Sequence, residues 1–136
     1  MDGHTQRYEE TTRHICVVVE PSFLEEESVP EEHRYVWAYR ITIENCGESS
    51  VQLISRHWRI TDAHGRVREV SGPGVIGEQP HINPGKVFQY TSGAPLETPS
   101  GFMSGTYMMR EESGESFDIV IPLFALDSPY ESRQIH

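Results

Sequence analysis

The sequence is poor in cysteine and in long apolar segments, and each shortage excludes a class of protein. Only two of the 136 residues are cysteines, Cys16 and Cys46. Two thiols are too few for a disulfide framework and favour a reduced protein in which both are buried, with a single disulfide as the alternative. No apolar run approaches the length of a membrane span, and the polar N-terminus lacks the apolar region of a signal peptide. We therefore expect a cytoplasmic protein that does not insert into membranes.

Basic residues are scarce as well, since 11 lysines and arginines stand against 21 aspartates and glutamates. The resulting net charge of -10 argues against a nucleic-acid partner, because phosphate contacts need a basic surface. Much of the acid is clustered in the segments 25–27 and 31–32, on either side of Pro30. Such a cluster favours a solvated loop over an acidic docking patch.

Sustained helical periodicity is absent, and a period-two alternation of apolar residues takes its place. The segment 35–45 alternates throughout and predicts a long central strand. In the segment 51–61 the apolar positions change parity near Leu53 and Ile54, which predicts a β-bulge there. Pro122 places its strand at a sheet edge or a bulge, because proline cannot donate to the ladder. The other predicted strands are 15–19, closed by Pro21, and 66–70, 86–91, 102–110 and 117–124.

About seven strands separated by turns, with no defensible helix, favour an all-β fold. We expect a single domain over 1–136, with a core from about 8 to 124, built as an antiparallel β-sandwich of the immunoglobulin or fibronectin type III kind. A barrel is the alternative. Trp37 does not lie between well-separated cysteines as in antibody domains, so their inter-sheet disulfide is not expected. A free sheet edge would also permit a homodimer.

One glycine-rich segment, GPGVIG at 72–77, has the glycine spacing of a dinucleotide-binding loop. That motif needs a helix at its last glycine, but Pro80, Asn83 and Pro84 follow and exclude one. The segment 71–85 is therefore a connection between strands, in which the glycines either permit positive φ or form a backbone nest for an anion. The candidate anion-binding residues are Gly72, Gly74, Gly77, Arg66, Arg68, His81 and Lys86. No cofactor is expected.

Two further groups of residues have side chains that could bind a metal or catalyse a reaction, but their spacing is a weak indication of either function. His57 and His64 flank a predicted turn and could meet across a hairpin, which makes them candidate metal ligands. A structural zinc site is not favoured, because its ligands usually come in close pairs. Ser55, His57 and Asp62 have the residue types of a catalytic triad, but a triad is defined by geometry, and no nucleophile turn accompanies them. We therefore expect a protein that is not an enzyme.

Several motifs in order resemble the ApaG family, and the resemblance extends from about Tyr8 to Phe124. The matching segments are YVWAYRITIEN (35–45), LISRHWRITD (53–62), GPGVIGEQP (72–80), FQYTSG (88–93) and GFMSGTY (101–107). The resemblance implies a fibronectin type III-like sandwich in a small bacterial cytosolic protein. It also implies a genetic link to cobalt resistance and magnesium efflux, and a glycine motif that has been discussed as a pyrophosphate site. Related domains in eukaryotic F-box proteins and in a polymerase-interacting protein are assumed to bind proteins.

These observations lead to three functional hypotheses. The first is a non-enzymatic binding module that contacts a protein partner through a sheet face or an open edge, with an indirect association with cobalt resistance and magnesium efflux. The second is a small-ligand binder that holds a nucleotide, pyrophosphate or another anion on the glycine loop. The third is direct binding of a divalent metal through His57, His64 or the acidic loop.

Overall fold

The computed structural model describes residues 6–130, which form two packed β-sheets. Two short 3₁₀ helices, Glu25–Glu27 and Pro30–Glu32, lie between the second and third strands. The strands are β1 (Tyr8–Thr12), β2 (Ile15–Phe23), β3 (Tyr35–Asn45), β4 (Val51–Asp62), β5 (Val67–Pro73), β6 (His81–Ile82), β7 (Val87–Leu96), β8 (Gly101–Glu111) and β9 (Ser116–Leu126).

All strand pairs are antiparallel, so the predicted all-β sandwich is confirmed. The first sheet has the order β1-β2-β3-β7, and the second has the order β5-β4-β8-β9, with β6 paired to the start of β4. On one side of the sandwich β9 packs against β1 and β2, which closes that side. On the other side the free edges of β5 and β7 are separated by cavities. We call this second side the open side.

The core lies between the sheets and is built by the inward residues of each strand. In β3 these are the aromatic and β-branched residues of the predicted alternation, and β3 has the predicted bounds. Trp37 is fully buried there, and its indole Nε1 donates to the carbonyl oxygen of Asp127 at 2.7 Å. Burial of large apolar side chains at about 25 cal/mol per Å² is the main force that holds the two sheets together. The largest buried side chains include Trp37, Tyr107, Phe124, Ile41, Ile43 and Leu53.

The two predicted irregularities are confirmed. The pairing of β4 with β8 shifts register between Leu53 and Ser55, which is the predicted bulge. Pro122 lies in the edge strand β9, and β9 is irregular there, because its register with β8 shifts between Met103 and Gly105. The bulge in β4 accompanies the change of parity of its apolar residues. The position of Pro122 follows from its missing N–H, since proline is compatible with a strand only at an edge or a bulge.

Two strands were not predicted, and β2, β5 and β7 each continue at least three residues past their predicted ends, β5 as far as Pro73. β1 is largely polar and exposed, and β6 has only two residues, so neither carries an alternating apolar pattern. β2 continues through Pro21, because β1 begins at Tyr8, opposite Val19, and the part of β2 after Val19 has no β1 neighbour on its outer edge. β7 continues through Pro95, because β7 is the edge of its sheet. At both positions the missing N–H of proline is compatible with the ladder.

The acidic segment and the cysteines also differ from the expectation in detail. The acidic residues belong to the two 3₁₀ helices, and a β-bridge between Val29 and Arg34 flanks the second of them. Both cysteines are free thiols, and Cys16 is buried as expected. Cys46 is exposed, so its predicted burial is wrong; it lies in the turn directly after β3, where no second layer covers it. Within residues 6–130, none of the helices is long and apolar enough to cross a membrane.

Candidate functional site

Two neighbouring cavities lie between β5 and β7 on the open side. The outer cavity has a volume of about 550 Å³ and extends to the residues after the acidic segment. Its lining carries both charge signs, with Arg34, Arg66 and Arg68 alongside Glu32, Asp62 and Glu97. Arg66 is neutralised there, because its Nε lies 2.8 Å from the Asp62 carboxylate. The outer cavity therefore has no marked preference for either charge.

The inner cavity has a volume of about 340 Å³ and a different chemical character. Among residues 6–130, its only charged lining residues are Arg56 and Arg68, and none of its lining residues in that range carries a carboxylate. Aromatic side chains form much of its wall, namely Tyr39 from β3, Trp58 from β4 and Tyr90 from β7. On a protein with a net charge of -10, this is a local concentration of positive charge beside apolar rings.

The bulge in β4 explains why an arginine occupies this cavity. After the register shift at Leu53–Ser55, the even-numbered residues of β4 face the core, so Arg56 shares a face with Trp58. Arg56 Nη1 donates to the carbonyl oxygens of Pro73 and Gly74, at 3.0 and 2.8 Å. A Cβ atom on Gly72, opposite Arg56, would lie only 3.2 Å from the guanidinium nitrogens. The glycine therefore leaves room for Arg56 to reach the loop.

The glycine loop is a tight hairpin at the rim of the inner cavity. The Gly74 amide donates to the Ile54 carbonyl at 2.8 Å, and the amides of Val75 and Glu78 donate to each other's carbonyls at 2.8 Å. A Cβ atom on Gly74 would lie 2.1 Å from the Glu78 carbonyl oxygen, so only glycine fits. These three amides are engaged within the protein, which leaves the turn residues between Val75 and Glu78 as the part of the loop that faces outward.

Ile76 is the unusual residue of this turn. Its φ is 41°, and Gly77 has a φ of 80°, as the two central residues of a type I′ turn require. Asparagine or glycine normally occupies the first of these positions, and a β-branched residue with positive φ is a strained outlier. Ile76 is nevertheless 57% exposed, so core packing does not account for its presence.

The predicted anion-binding residues are distributed over the whole open side and beyond. Arg68 lines both cavities, and the three glycines lie in or next to the loop. Arg66 lies directly before β5, at the end remote from the glycine loop, in its ion pair with Asp62. His81 lies in the short strand β6, where it pairs with Gln52 of β4. Lys86 precedes β7, and its backbone carbonyl accepts a hydrogen bond from the Asn45 amide. The structure thus brings Arg68 toward the loop and adds Arg56, which the sequence did not indicate.

His57 lies on the outer, solvent-facing side of β4. Its Nδ1 lies 2.6 Å from Ser71 Oγ, and its Nε2 lies 3.2 Å from the Glu69 carboxylate. Ser55, His57 and Asp62, which were not expected to form a triad, share no side-chain hydrogen bond within residues 6–130, and Asp62 bonds Arg66 at the end of the hairpin. A serine, a histidine and a glutamate are therefore in contact, but the side chains of His57 and Glu69 are 45% and 51% exposed, and a polar contact at such an exposed position contributes little to stability.

The candidate metal ligands His57 and His64 make separate contacts, and neither belongs to a group of three or more ligating side chains within residues 6–130. The backbone amide of His64 donates to Asp62 in the turn after β4, whereas both ring nitrogens of His57 are directed at Ser71 and Glu69. In the part of the chain that the structure describes, no three histidine, cysteine, aspartate or glutamate side chains are close enough to hold a metal ion.

Comparison with known proteins places the chain in a family. A family model described as the ApaG domain matches residues 25–111. The chain belongs to the ApaG family. It is similar to Protein ApaG of Paramagnetospirillum magneticum, with 56% identity over 129 residues that make up 95% of this chain and 99% of the relative. Protein ApaG of Rhodospirillum centenum is 59% identical over 123 residues, 90% of this chain and 95% of the relative. The crystal structure of an ApaA protein from Bordetella pertussis superimposes with a TM-score of 0.83 at 44% identity, covering 91% of this chain and 98% of that one.

In this member of the ApaG family, two phenols, Tyr39 and Tyr90, line the inner cavity, and Tyr90 contacts a third phenol, Tyr107, behind it. The hydroxyl groups of Tyr90 and Tyr107 lie 2.5 Å apart, and both side chains are buried. Burial raises the pKa of Tyr39, Tyr90 and Tyr107, and the Arg56 charge opposes the rise at each of them. The phenols are therefore neutral hydrogen-bonding groups at physiological pH.

The three phenols give a testable alkaline limit to stability. A tyrosine whose pKa is raised in the folded state contributes stability that is complete below the unfolded pKa of about 10 and is lost as the pH rises toward the folded value. We expect phenolate absorbance of these tyrosines to appear together with unfolding above about pH 10, measured by parallel absorbance and fluorescence titration. Titration of all phenols near pH 10 in a fully folded ApaG-family protein would contradict this prediction.

Arg56 is the site residue that sequence reasoning missed, although a signal for it exists. The parity change at Leu53 and Ile54 predicts the bulge, and beyond the bulge it assigns the even positions of β4 to the core. Arg56 is then a charged residue at a core-facing position beside Trp58. A cation at such a position requires partners, which here are the carbonyls of the glycine loop.

Proposed function

We propose that this ApaG-family protein is a non-enzymatic binding module that docks a protein partner on its open side. The observation that carries the proposal is Ile76, an exposed β-branched residue at a strained position of a tight turn. Strain of this kind costs about 1–3 kcal/mol and is retained where it serves a function. Presenting an apolar side chain to a partner is such a function.

The surroundings of Ile76 support a docking surface. The turn stands between the inner cavity and the end of β5, so a partner that contacts Ile76 also meets a free strand edge. Val67, at the other end of β5, is exposed as well, at 45%. An extended segment of a partner can lie along this edge, with backbone hydrogen bonds for affinity and apolar contacts at both ends for specificity.

The proposal of a non-enzymatic role rests on the position of the cluster formed by His57, Ser71 and Glu69, whose residue types occur in hydrolase active sites. His57, Ser71 and Glu69 lie on the outer face of the second sheet, whereas the cavities lie between the sheets. A catalytic histidine and serine act in a site that excludes water and orients the substrate, and an exposed sheet face provides neither. In this proposal, any influence on cobalt resistance or magnesium efflux is indirect and passes through the protein partner.

Substitution of Ile76 separates binding from stability. Ile76→Asn provides the asparagine-glycine pair that a type I′ turn prefers, so we expect the free energy of unfolding to rise by about 1 kcal/mol. We also expect the affinity for the partner to fall about tenfold, since an apolar anchor is lost. The measurements are urea unfolding and saturable capture of a partner from bacterial extract by the immobilised protein.

Leu123 on β9 is a matched control, because it is also 57% exposed and lies on the closed side of the sandwich. Leu123→Asn should leave capture of the partner unchanged. If Ile76→Asn binds the partner as tightly as the unmodified protein, or if Leu123→Asn is equally impaired, the docking surface has been assigned to the wrong side.

A further inference from the structure

We infer that the inner cavity is a binding site for a small planar organic anion, an aromatic ring that carries a carboxylate or phosphate group. The inference does not depend on the proposed protein partner, because the cavity lies between the sheets and is defined by its own lining. Three features specify the ligand: the charge of the lining, the rings of the wall and the volume.

The charge of the lining specifies an anion. Arg56 and Arg68 are the charged lining residues, and neither forms an ion pair with a carboxylate in residues 6–130. Arg56 uses Nη1 for the loop carbonyls, so its Nε and Nη2 have no protein acceptor within the described part of the chain. A guanidinium group presents several donors in a planar fork that matches the two oxygens of a carboxylate or phosphate. A cation with unused donors in a partly enclosed cavity is an incomplete pair that an oxyanion completes.

The rings of the wall specify a flat apolar body for the ligand. Tyr39, Trp58 and Tyr90 line the cavity, and Tyr39 packs edge-on against Trp58 with ring centroids 5.4 Å apart. Val70 and Val75 add aliphatic surface on the β5 side. Aromatic and aliphatic walls with a few convergent polar groups are the usual composition of a small-molecule site.

The volume and the opening specify a small ligand. A cavity of about 340 Å³ is near the lower limit of ligand pockets, which measure roughly 300–1,000 Å³. Ser92, Gly93 and Ala94 of the edge strand β7 form one lip and Ile76 of the glycine loop stands at another. A ring with one anionic group can enter between these edges with its charge toward the two arginines.

The test is an NMR titration of the full-length protein with four probes: indole-3-acetate, phenyl phosphate, the neutral indole-3-acetamide and inorganic phosphate. We expect one or both aromatic anions to shift the amides of 75–76 and 92–94. The indole N–H signal of Trp58 should move with them. That of Trp37, which is bonded to Asp127 away from the cavity, should not. The two aromatic anions distinguish a carboxylate from a phosphate ligand.

The matched variants are Arg68→Gln and Arg110→Gln. Arg68 has no side-chain hydrogen bond or ion pair within residues 6–130, so its replacement leaves the fold intact, and we expect binding to weaken about tenfold. Arg110 lies on β8 outside both cavities, and its replacement should change nothing. The inference is overturned if neither aromatic anion binds at millimolar concentration. It is equally overturned if the neutral amide or inorganic phosphate binds as tightly as the aromatic anions, or if Arg68→Gln has no effect.

Discussion

Replacement of Gly105 by alanine is expected to lower the free energy of unfolding by about 3 kcal/mol. Gly105 lies in β8 directly opposite Trp58 of β4. A Cβ atom there would lie 2.2 Å from the carbonyl oxygen of His57 and 3.2 Å from the Trp58 ring. The first contact is with backbone, which cannot rotate away, so β4 and β8 must separate in the middle of their ladder. Urea unfolding followed by tryptophan fluorescence measures the change.

Gly93 provides the control within the same fold. It also lies in a strand, but a Cβ atom there meets only the Trp37 carbonyl oxygen, at an ordinary distance of 3.5 Å. Gly93→Ala should therefore be neutral or stabilise by about 0.5 kcal/mol, since glycine is entropically costly in a strand. Equal effects of the two substitutions would show that the close approach at Gly105 is not what makes glycine necessary.

Replacement of Asn45 by alanine is expected to destabilise the protein by a similar amount, about 3 kcal/mol. Asn45 is fully buried at the end of β3. Its Nδ2 donates to the carbonyl oxygens of Ser49 and Ile82, at 2.8 and 2.9 Å, and its Oδ1 accepts from the Gly47 amide at 2.9 Å. One side chain thus satisfies three backbone groups of the turn and of β6. Removal of the amide leaves those groups without their partner, and unpaired buried groups cost more than a made hydrogen bond contributes.

A second substitution at the same position adds a pH dependence with a definite sign. Asn45→Asp directs a carboxylate oxygen at the carbonyls of Ser49 and Ile82, which disfavours the charged form and raises the folded pKa above the unfolded value of about 3.9. The loss relative to the unmodified protein should be largest at neutral pH and shrink as the pH falls toward 4. Asn83→Ala is the control, because Asn83 is exposed and accepts from the Ser50 hydroxyl. A pH-independent loss in Asn45→Asp would contradict this explanation.

The sequence predicts those parts of the fold in which one residue pattern has one structural solution. β3 was predicted at both ends, because its alternation of aromatic and β-branched residues fits only a half-buried strand. β6 could not be predicted, since two residues carry no period, and its place beside β4 depends on pairing at Val51 and Gln52. β2 and β7 continue through Pro21 and Pro95 because no strand pairs with their outer edges at these positions. The order and lengths of the neighbouring strands determine this, and the local sequence does not contain that information.

The candidate site was harder to predict than the fold, because its contacts also depend on which strands pair and in which register. The sequence indicates a glycine loop, but the purpose of each glycine depends on what faces it. Gly72 accommodates the Arg56 guanidinium from another strand, whereas Gly74 is required by the Glu78 carbonyl within the loop. Ser71 and Glu69 became partners of His57 through the register of β4 and β5, which residue types alone do not determine.

The edge prolines limit how molecules of this protein can associate with one another. Pro73 lies at the end of β5, Pro95 lies near the end of β7, and Pro122 lies within β9, and each of these strands is an edge of its sheet. A second copy that adds as a strand to β7 or β9 meets a gap in the donor row, whereas Pro73 is the last residue of β5 and leaves the rest of that edge open to a partner segment. Because a continuous filament needs both edges of a sheet, stacking of many copies is interrupted. The protein should therefore resist polymerisation at high concentration. Which molecules bind at the sheet edges is then decided by the exposed side chains there.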